Sequence, residues 1–425
     1  MFLTTLLLLS ICPQEDEGID LKLASRYLAE GQAIAAADAG RLWGHSLEGP
    51  LLFADRCTRQ ITANQADAEG RLHEKGDLYF GELPIEVNIA NTAIHWAGVE
   101  WTMVAWPLPP TFAPRQRLLA HEMFHRIQDE IGFPANNPDN SHLEERDGRL
   151  WLRLEWRALA AALRAAGDER KAAIRDALAF QNERHRLIPG AAEAERGLEM
   201  NEGLAEYTGY ALGGEPRETV AAEVANLLEH LPESGQTLMR SFAYTSGPAY
   251  GWLLDAASPE WRTGLQAKHS LADRLGEALD LEPVKASQLW ARAKIYDGER
   301  VLAEEDARRA KQEQRRSELV AQYVEGPVLV LPLTESMRYS FNPRSLESLG
   351  EHGTFYPTLE VSDAWGVLKV DDGALMTADR KDVRVRVPDS VEGSEWTGPG
   401  WTLTLKAPWR GAGSKETGYR LTKEK

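Results

Sequence analysis

A chain of 425 residues, 43% hydrophobic and 27% charged, is long enough for two or three domains and has the composition of an ordinary globular protein. A formal net charge of -17 and a pI near 5.2 exclude a nucleic-acid partner, since there is no basic surplus to neutralise phosphates. The acidity serves solubility.

Met1 to Cys12 (MFLTTLLLLSIC) is an apolar run followed at once by Glu15-Asp16-Glu17. It is too short for a bilayer span of about 20 residues. Residues 1–18 are therefore expected to be an export signal, removed from a periplasmic, cell-envelope or secreted protein. Leu9-Ser10-Ile11-Cys12 also resembles a bacterial lipoprotein box, which would tie the chain to a membrane through a lipid anchor on Cys12. With Cys12 lost or acylated, Cys57 has no partner, and filling core is its expected role.

Residues 19 to 44 are Ala-rich with Leu21, Leu23, Tyr27, Leu28 and Ile34 at helical spacing. Pro50 to Ala54 and Gln60 to Ala63 read as short strands around an Asp55-Arg56 turn, and Leu78 to Phe80 and Glu86 to Ile89 keep the strand character. Thr92 to Leu108, with Val99, Trp101, Met103 and Ala105 alternating, reads as one long strand. Residues 19–110 thus form an N-terminal α/β region carrying a sheet.

The pattern then predicts a helix over 114–131. Pro114 suits a first turn, Thr111 is an upstream cap, and Gly132 with Pro134 is a stop. Met123, Phe124, Ile127 and Ile131 make an apolar stripe, with His121, Glu122, His125 and Gln128 on a neighbouring face. Residues four apart are separated by about 40° and about 6 Å, so His121 and His125 can reach one metal. Glu122, turned away by about 100°, stands beside that metal as a base rather than a ligand. Leu118 to Gln128 contains the zincin motif His-Glu-x-x-His, and Zn2+ is the cofactor it implies.

Residues 111–323 read as mainly helical, with helices near 141–165, 168–187, 190–213, 217–231 and 246–257 and a highly charged one near 286–323. A catalytic zinc needs a third protein ligand. Leu198 to Tyr207 (LEMNEGLAEY) resembles the gluzincins, the thermolysin-like and aminopeptidase N-like zinc peptidases, whose third ligand is a Glu in an Asn-Glu-Gly-x-x context on a later helix. The resemblance implies Glu202 as that ligand, with Glu206 and Asn201 as outer partners of the site. Thermolysin-like members carry Asp where this chain has Glu206. Gly203 is expected to permit close packing against the motif helix. An inserted helical pair over 141–187 separates the two motifs and contains Glu155 and Glu183, the alternative third ligands; Glu155 is expected to pair with Arg157.

Ala243 to Tyr250 (AYTSGPAY) is similar to the Tyr-x-x-Gly-Ala segment that opens a helix in aminopeptidase N-like enzymes. The resemblance makes Tyr244 the donor to the oxyanion, with Tyr250 in reserve. Gly98-Val99-Glu100-Trp101 lies where aminopeptidases keep a Gly-x-Met-Glu-Asn strand, which makes Glu100 a candidate for a substrate's amine, although Met and Asn are absent.

Beyond Gly326-Pro327, Val328 to Leu331, Trp365 to Val370, Val383 to Val387 and Trp401 to Leu405 alternate between Gly, Pro and Asp turns, giving a β-rich module over 326–425. The expected fold class is α+β: a mixed N-terminal strand region, a mainly helical zincin catalytic domain and a C-terminal all-β module. The expected function is that of a zinc-dependent metallopeptidase acting on a peptide or protein substrate. Two alternatives are a non-catalytic zinc-binding cell-envelope protein that presents the β module, and a zinc hydrolase of a non-peptide amide.

Overall fold

The computed structural model describes residues 18–342 and 345–424. The expected export signal and the lipid-anchor position Cys12 lie outside them. The fold is α+β, and the chain divides into two compact units, Met1–Glu305 and Asp306–Lys425. Among the described residues no helix is long and apolar enough to cross a membrane.

In the first unit, helix α1 (Leu21–Asp38) starts at Asp20, whose carboxylate accepts the Lys22 and Leu23 N–H groups at 2.9 and 3.0 Å. Six strands follow: β1 (Leu51–Asp55), β2 (Gln60–Ala63), β3 (His73–Lys75), β4 (Leu78–Glu82), β5 (Thr92–Trp96) and β6 (Val99–Trp106). They form one sheet in the order β3-β4-β2-β1-β6-β5, antiparallel throughout except between β1 and β6. The expected single strand from Thr92 to Leu108 is instead a hairpin. Ala97 (φ 48°) and Gly98 (φ 74°) both take the left-handed conformation that a two-residue hairpin turn demands. Glu86 to Ile89 is not a strand, because the Val87 N–H turns back to the Pro84 carbonyl at 3.0 Å.

Alternation along the central strands gives the sheet two apolar faces. Phe53, Val104 and Trp106 pack with Tyr27 and Leu28 of α1 and with Leu119, Met123 and Ile127 of the next helix, while Leu52, Ala54, Trp101 and Met103 line the opposite core. Cys57 does not fill either core. It sits half-buried in the turn after β1, where the Asp55 carboxylate accepts the Cys57 and Thr58 N–H groups. Its place in a half-exposed turn, outside the two buried clusters, is why the core role fails.

Helix α2 (Phe112–Ile127) packs on β5 and β6, on α1 and on the later helix over Leu204–Leu212. Its N-cap residue is Thr111, with no side-chain capping bond; the Arg115 guanidinium instead takes the Pro109, Pro110 and Thr111 carbonyls. The remaining helices are α3 (Arg146–Arg164), α4 (Gly167–Leu187), α5 (Ala191–Leu198), α6 (Leu204–Leu212), α7 (Arg217–His230), α8 (Leu238–Ala257), α9 (Leu271–Ala278), α10 (Leu289–Ile295) and α11 (Gly298–Val320). The expected helix over 190–213 is broken by a π turn at Glu199–Gly203. Helix α8 begins eight residues before the expected 246, capped by Thr237, and carries Pro248 inside. Trp156, Phe180, Leu204, Phe242 and Tyr250 fill the helical core.

The boundary between the units falls within α11. In the second unit, a seven-stranded sheet runs in the order 409–414, 418–423, 328–332, 382–386, 374–376, 354–356, 347–348, and a six-stranded sheet in the order 390–392, 395–398, 401–405, 366–370, 359–363, 338–341. Leu329, Leu331, Val383 and Val385 of the first meet Val361, Leu368, Trp401 and Leu403 of the second around Trp365, which makes the unit a β-sandwich.

Candidate metal centre

The site is built where α2 crosses the segment from the π turn into α6. His121 and His125 stand one turn apart on α2, and their Nε2 atoms come to 3.0 Å of each other. Glu202, inside the π turn, brings its Oε2 to 3.6 Å from His121 Nε2 and 3.4 Å from His125 Nε2. These three are the group among the described residues that could hold a metal.

The distances test whether a tetrahedral ion fits. Zinc bonds of roughly 2.0–2.1 Å imply ligand–ligand edges of about 3.3 Å. The observed edges bracket that value, and a triangle of these sides has a circumradius of about 1.9 Å, just under one such bond. The three donor atoms are therefore spaced as a tetrahedral zinc site would need them, and His121, His125 and Glu202 are the residues that would hold the ion.

The far side of each imidazole is also specified. His121 Nδ1 donates to Glu206 Oε2 at 2.8 Å, and His125 Nδ1 donates to Gln128 Oε1 at 2.9 Å. A carboxylate only accepts, so the Nδ1 proton of His121 is fixed and the Nε2 lone pair faces inward. Gln128 Nε2 in turn donates to Asn201 Oδ1 at 3.1 Å. Asn201 thus reaches His125 through Gln128, and its own Nδ2 donates to the Asn136 carbonyl at 3.2 Å.

Glu122 is buried beside the triangle, with Oε1 4.0 Å from His121 Nε2 and Oε2 without a hydrogen-bond partner among the described residues. Burial pushes its carboxyl above the ordinary range, against the pull of His121 and His125. Glu202 is held differently: its Oε2 accepts from the Tyr244 hydroxyl at 2.5 Å and faces the Nε2 lone pairs of both imidazoles.

Tyr244 lies in the second turn of α8, not at a helix start. Its ring stacks on His121 at 5.7 Å and 9°, and its hydroxyl donates to Glu202 Oε2 at 2.5 Å. The other candidates are elsewhere. Glu155 is buried with Arg184 (2.7 Å) and Tyr250 (2.7 Å), so neither Glu155 nor the reserve Tyr250 reaches the triangle. Arg157 bonds the Tyr296 carbonyl and Asp297 instead of Glu155, because it points from the outer side of α3. Glu183 pairs with Arg186 on the surface of α4. Glu100 faces His95 across the hairpin at 3.4 Å with its side chain half exposed. Gly203 packs not on the motif helix but on α8, where an added Cβ would stand 3.2 Å from Gly247 Cα; the close approach to α2 is made by Gly209, against the Arg117 carbonyl.

Two contributors go beyond the motifs. Gln128 falls on the expected face of α2 with no role assigned by the spacing, and Arg240, which donates to Glu202 Oε1 at 2.9 Å, belongs to no motif at all. The sequence holds a signal for the first, since three residues after His125 is within reach on a helix. It holds none for the second. No protein-family model, curated protein or solved structure matches the chain.

Proposed function

We propose that this protein is a zinc-dependent peptidase in which His121, His125 and Glu202 hold the metal and Glu122 is the base. The observation that carries the reading is a donor triangle of tetrahedral size with Glu122 buried 4.0 Å from His121 Nε2, its second carboxylate oxygen without a hydrogen-bond partner among the described residues. A zinc ion held there supplies Lewis acidity, which makes a water more acidic and a carbonyl more electrophilic.

The chain's own residues account for the rest. Glu122 takes the proton of the attacking water and returns it to the leaving amine, and its burial raises its proton affinity toward that task. Tyr244 borders the same space and can donate to an oxyanion by exchanging its bond to Glu202. Strand β5 is an outer strand of its sheet and runs beside α2. Among the described residues no strand pairs on its outer edge, whose N–H and C=O groups can take an extended chain, which favours a peptide over other amides.

The test is turnover of casein and a labelled peptide library by the purified protein, with and without chelator, alongside metal content by mass spectrometry. Glu122→Gln is expected to keep its zinc and lose about 10²- to 10⁴-fold in rate, the usual share of a general base. His121→Ala is expected to lose the metal. Full turnover by zinc-loaded Glu122→Gln would refute the base assignment.

A further inference from the structure

Glu202 is held by more than two imidazoles. Arg240, in the first turn of α8, donates from Nη2 to Glu202 Oε1 at 2.9 Å and from Nη1 to Asn137 Oδ1 at 2.8 Å. Asn201 Nδ2 lies 3.5 Å from the same Oε1 and 3.4 Å from Asn137 Oδ1. Oε1 is thereby tied down on one side, while Oε2, which also accepts from the Tyr244 hydroxyl at 2.5 Å, is the oxygen set 3.6 and 3.4 Å from the two histidines. A carboxylate that offers both oxygens fills two positions around a metal, whereas one that offers a single oxygen leaves a position for reactants.

The bonds also form a continuous path. From His125 it runs through Gln128 to Asn201, from Asn201 to Asn137, and from Asn137 through Arg240 to Glu202. Two of the three ligands are oriented by one network, whose far end is the loop carrying Asn136 and Asn137. An arginine present only for its charge has no need of the second acceptor. A planar fork that spans two fixed acceptors sets a geometry, and lysine cannot copy it.

We propose that Arg240, anchored by Asn137, is a positioning residue that keeps Glu202 presenting Oε2 alone. The inference rests on the metal reading above. The positive charge of Arg240 by itself opposes a nearby cation, so a neutral substitution would mix two effects of opposite sign. Arg240→Lys keeps the charge and breaks the fork; Asn137→Ala removes the anchor and leaves the charge in place.

The experiment measures zinc affinity by competition with a chromogenic chelator and the visible spectrum of the cobalt-loaded protein, for the unmodified chain, Arg240→Lys, Asn137→Ala and the double variant. Each single change is expected to weaken zinc binding by about 10-fold or more, within the range of about 10- to 100-fold usual for groups that orient ligands. The cobalt bands should lose intensity as Glu202 turns its second oxygen inward. The double variant should be no weaker than Arg240→Lys, because both changes cut one path. The Arg240 side chain is 55% exposed, so melts of the metal-free variants should match the unmodified chain. Unchanged affinity and spectrum in Arg240→Lys would overturn the proposal, as would a raised KM with unaltered metal binding, which would make Arg240 a substrate contact. Failure of the unmodified chain to bind zinc would instead remove the parent reading.

Discussion

A histidine that offers Nε2 to a metal must keep its proton on Nδ1, and a buried N–H left without an acceptor is costly. The two imidazoles here solve this differently: His121 uses a carboxylate, Glu206, and His125 uses an amide, Gln128. Glu206→Gln is expected to preserve the acceptor but remove the charge, and Gln128→Leu to remove the acceptor altogether. Zinc affinity, read by chelator competition, should fall about 10- to 100-fold in Gln128→Leu, and by less in Glu206→Gln. Equal affinity in Gln128→Leu would show that the amide does not orient the ring. Glu206 is legible in the sequence because it lies four residues after a candidate ligand, and a carboxylate at that spacing draws attention. For Gln128 the spacing after His125 shows only that the two can meet; its role shows once a buried Asn201 is seen to bind its other end. Arg240 is hidden further, because an arginine in the first turn of a helix reads as a solvated charge.

At the level of elements, periodicity alone makes the motif helix, the helical run after it and four of the sandwich strands readable in the sequence. What it cannot supply is the meeting of distant segments. The Thr92–Leu108 stretch keeps its alternation through the Ala97-Gly98 turn, so nothing in the apolar pattern marks the reversal. The π turn at Glu199–Gly203 is equally silent in the sequence, yet it carries Glu202. Its place is set by contact with α8: a Cβ on Gly247 would meet Gly203 Cα at 2.3 Å and its carbonyl oxygen at 2.4 Å, backbone against backbone. Gly247→Ala must therefore push the π turn away from α8. The expected result is a loss of about 1–3 kcal/mol in stability, together with weaker zinc binding. Gly276→Ala is the control, because its Cβ would meet only the end of the flexible Leu178 side chain at 3.1 Å. Denaturant melts and chelator competition on both variants decide the matter; if Gly247→Ala binds zinc like the unmodified protein, the contact does not position Glu202.

On the scale of the whole first unit, charge is buried as well as displayed. Helices α3, α4 and α5 bring Glu155, Arg184 and Glu195 together, with Arg184 bridging the two carboxylates at 2.7 and 2.6 Å, and His142 and His185 at 2.8 and 2.9 Å from Glu195. None of this pairing shows in the sequence, where Glu155 looks like a partner for its neighbour Arg157. Burial would raise Glu195, but Arg184, His142 and His185 hold it well below the ordinary range. Glu199 goes the other way, pushed well above that range by burial and then by the charges of Glu155 and Glu195. The two groups oppose each other in pH. Glu195 contributes stability that is present above the unfolded value of about 4.3 and is lost as pH falls through its folded pKa. Glu199 binds its proton more tightly folded than unfolded, so its native form loses stability as pH rises from about 4.3 through its raised pKa. Glu199→Gln keeps the shape and removes that second penalty. Melts of the metal-free protein from about pH 4 to pH 9 should show no difference between Glu199→Gln and the unmodified chain at the acid end, and a Tm advantage for the variant that widens as pH rises. An advantage independent of pH would assign the effect to packing rather than to the buried charge, and a lower Tm at the alkaline end would mean that the ionised carboxylate is favourably held.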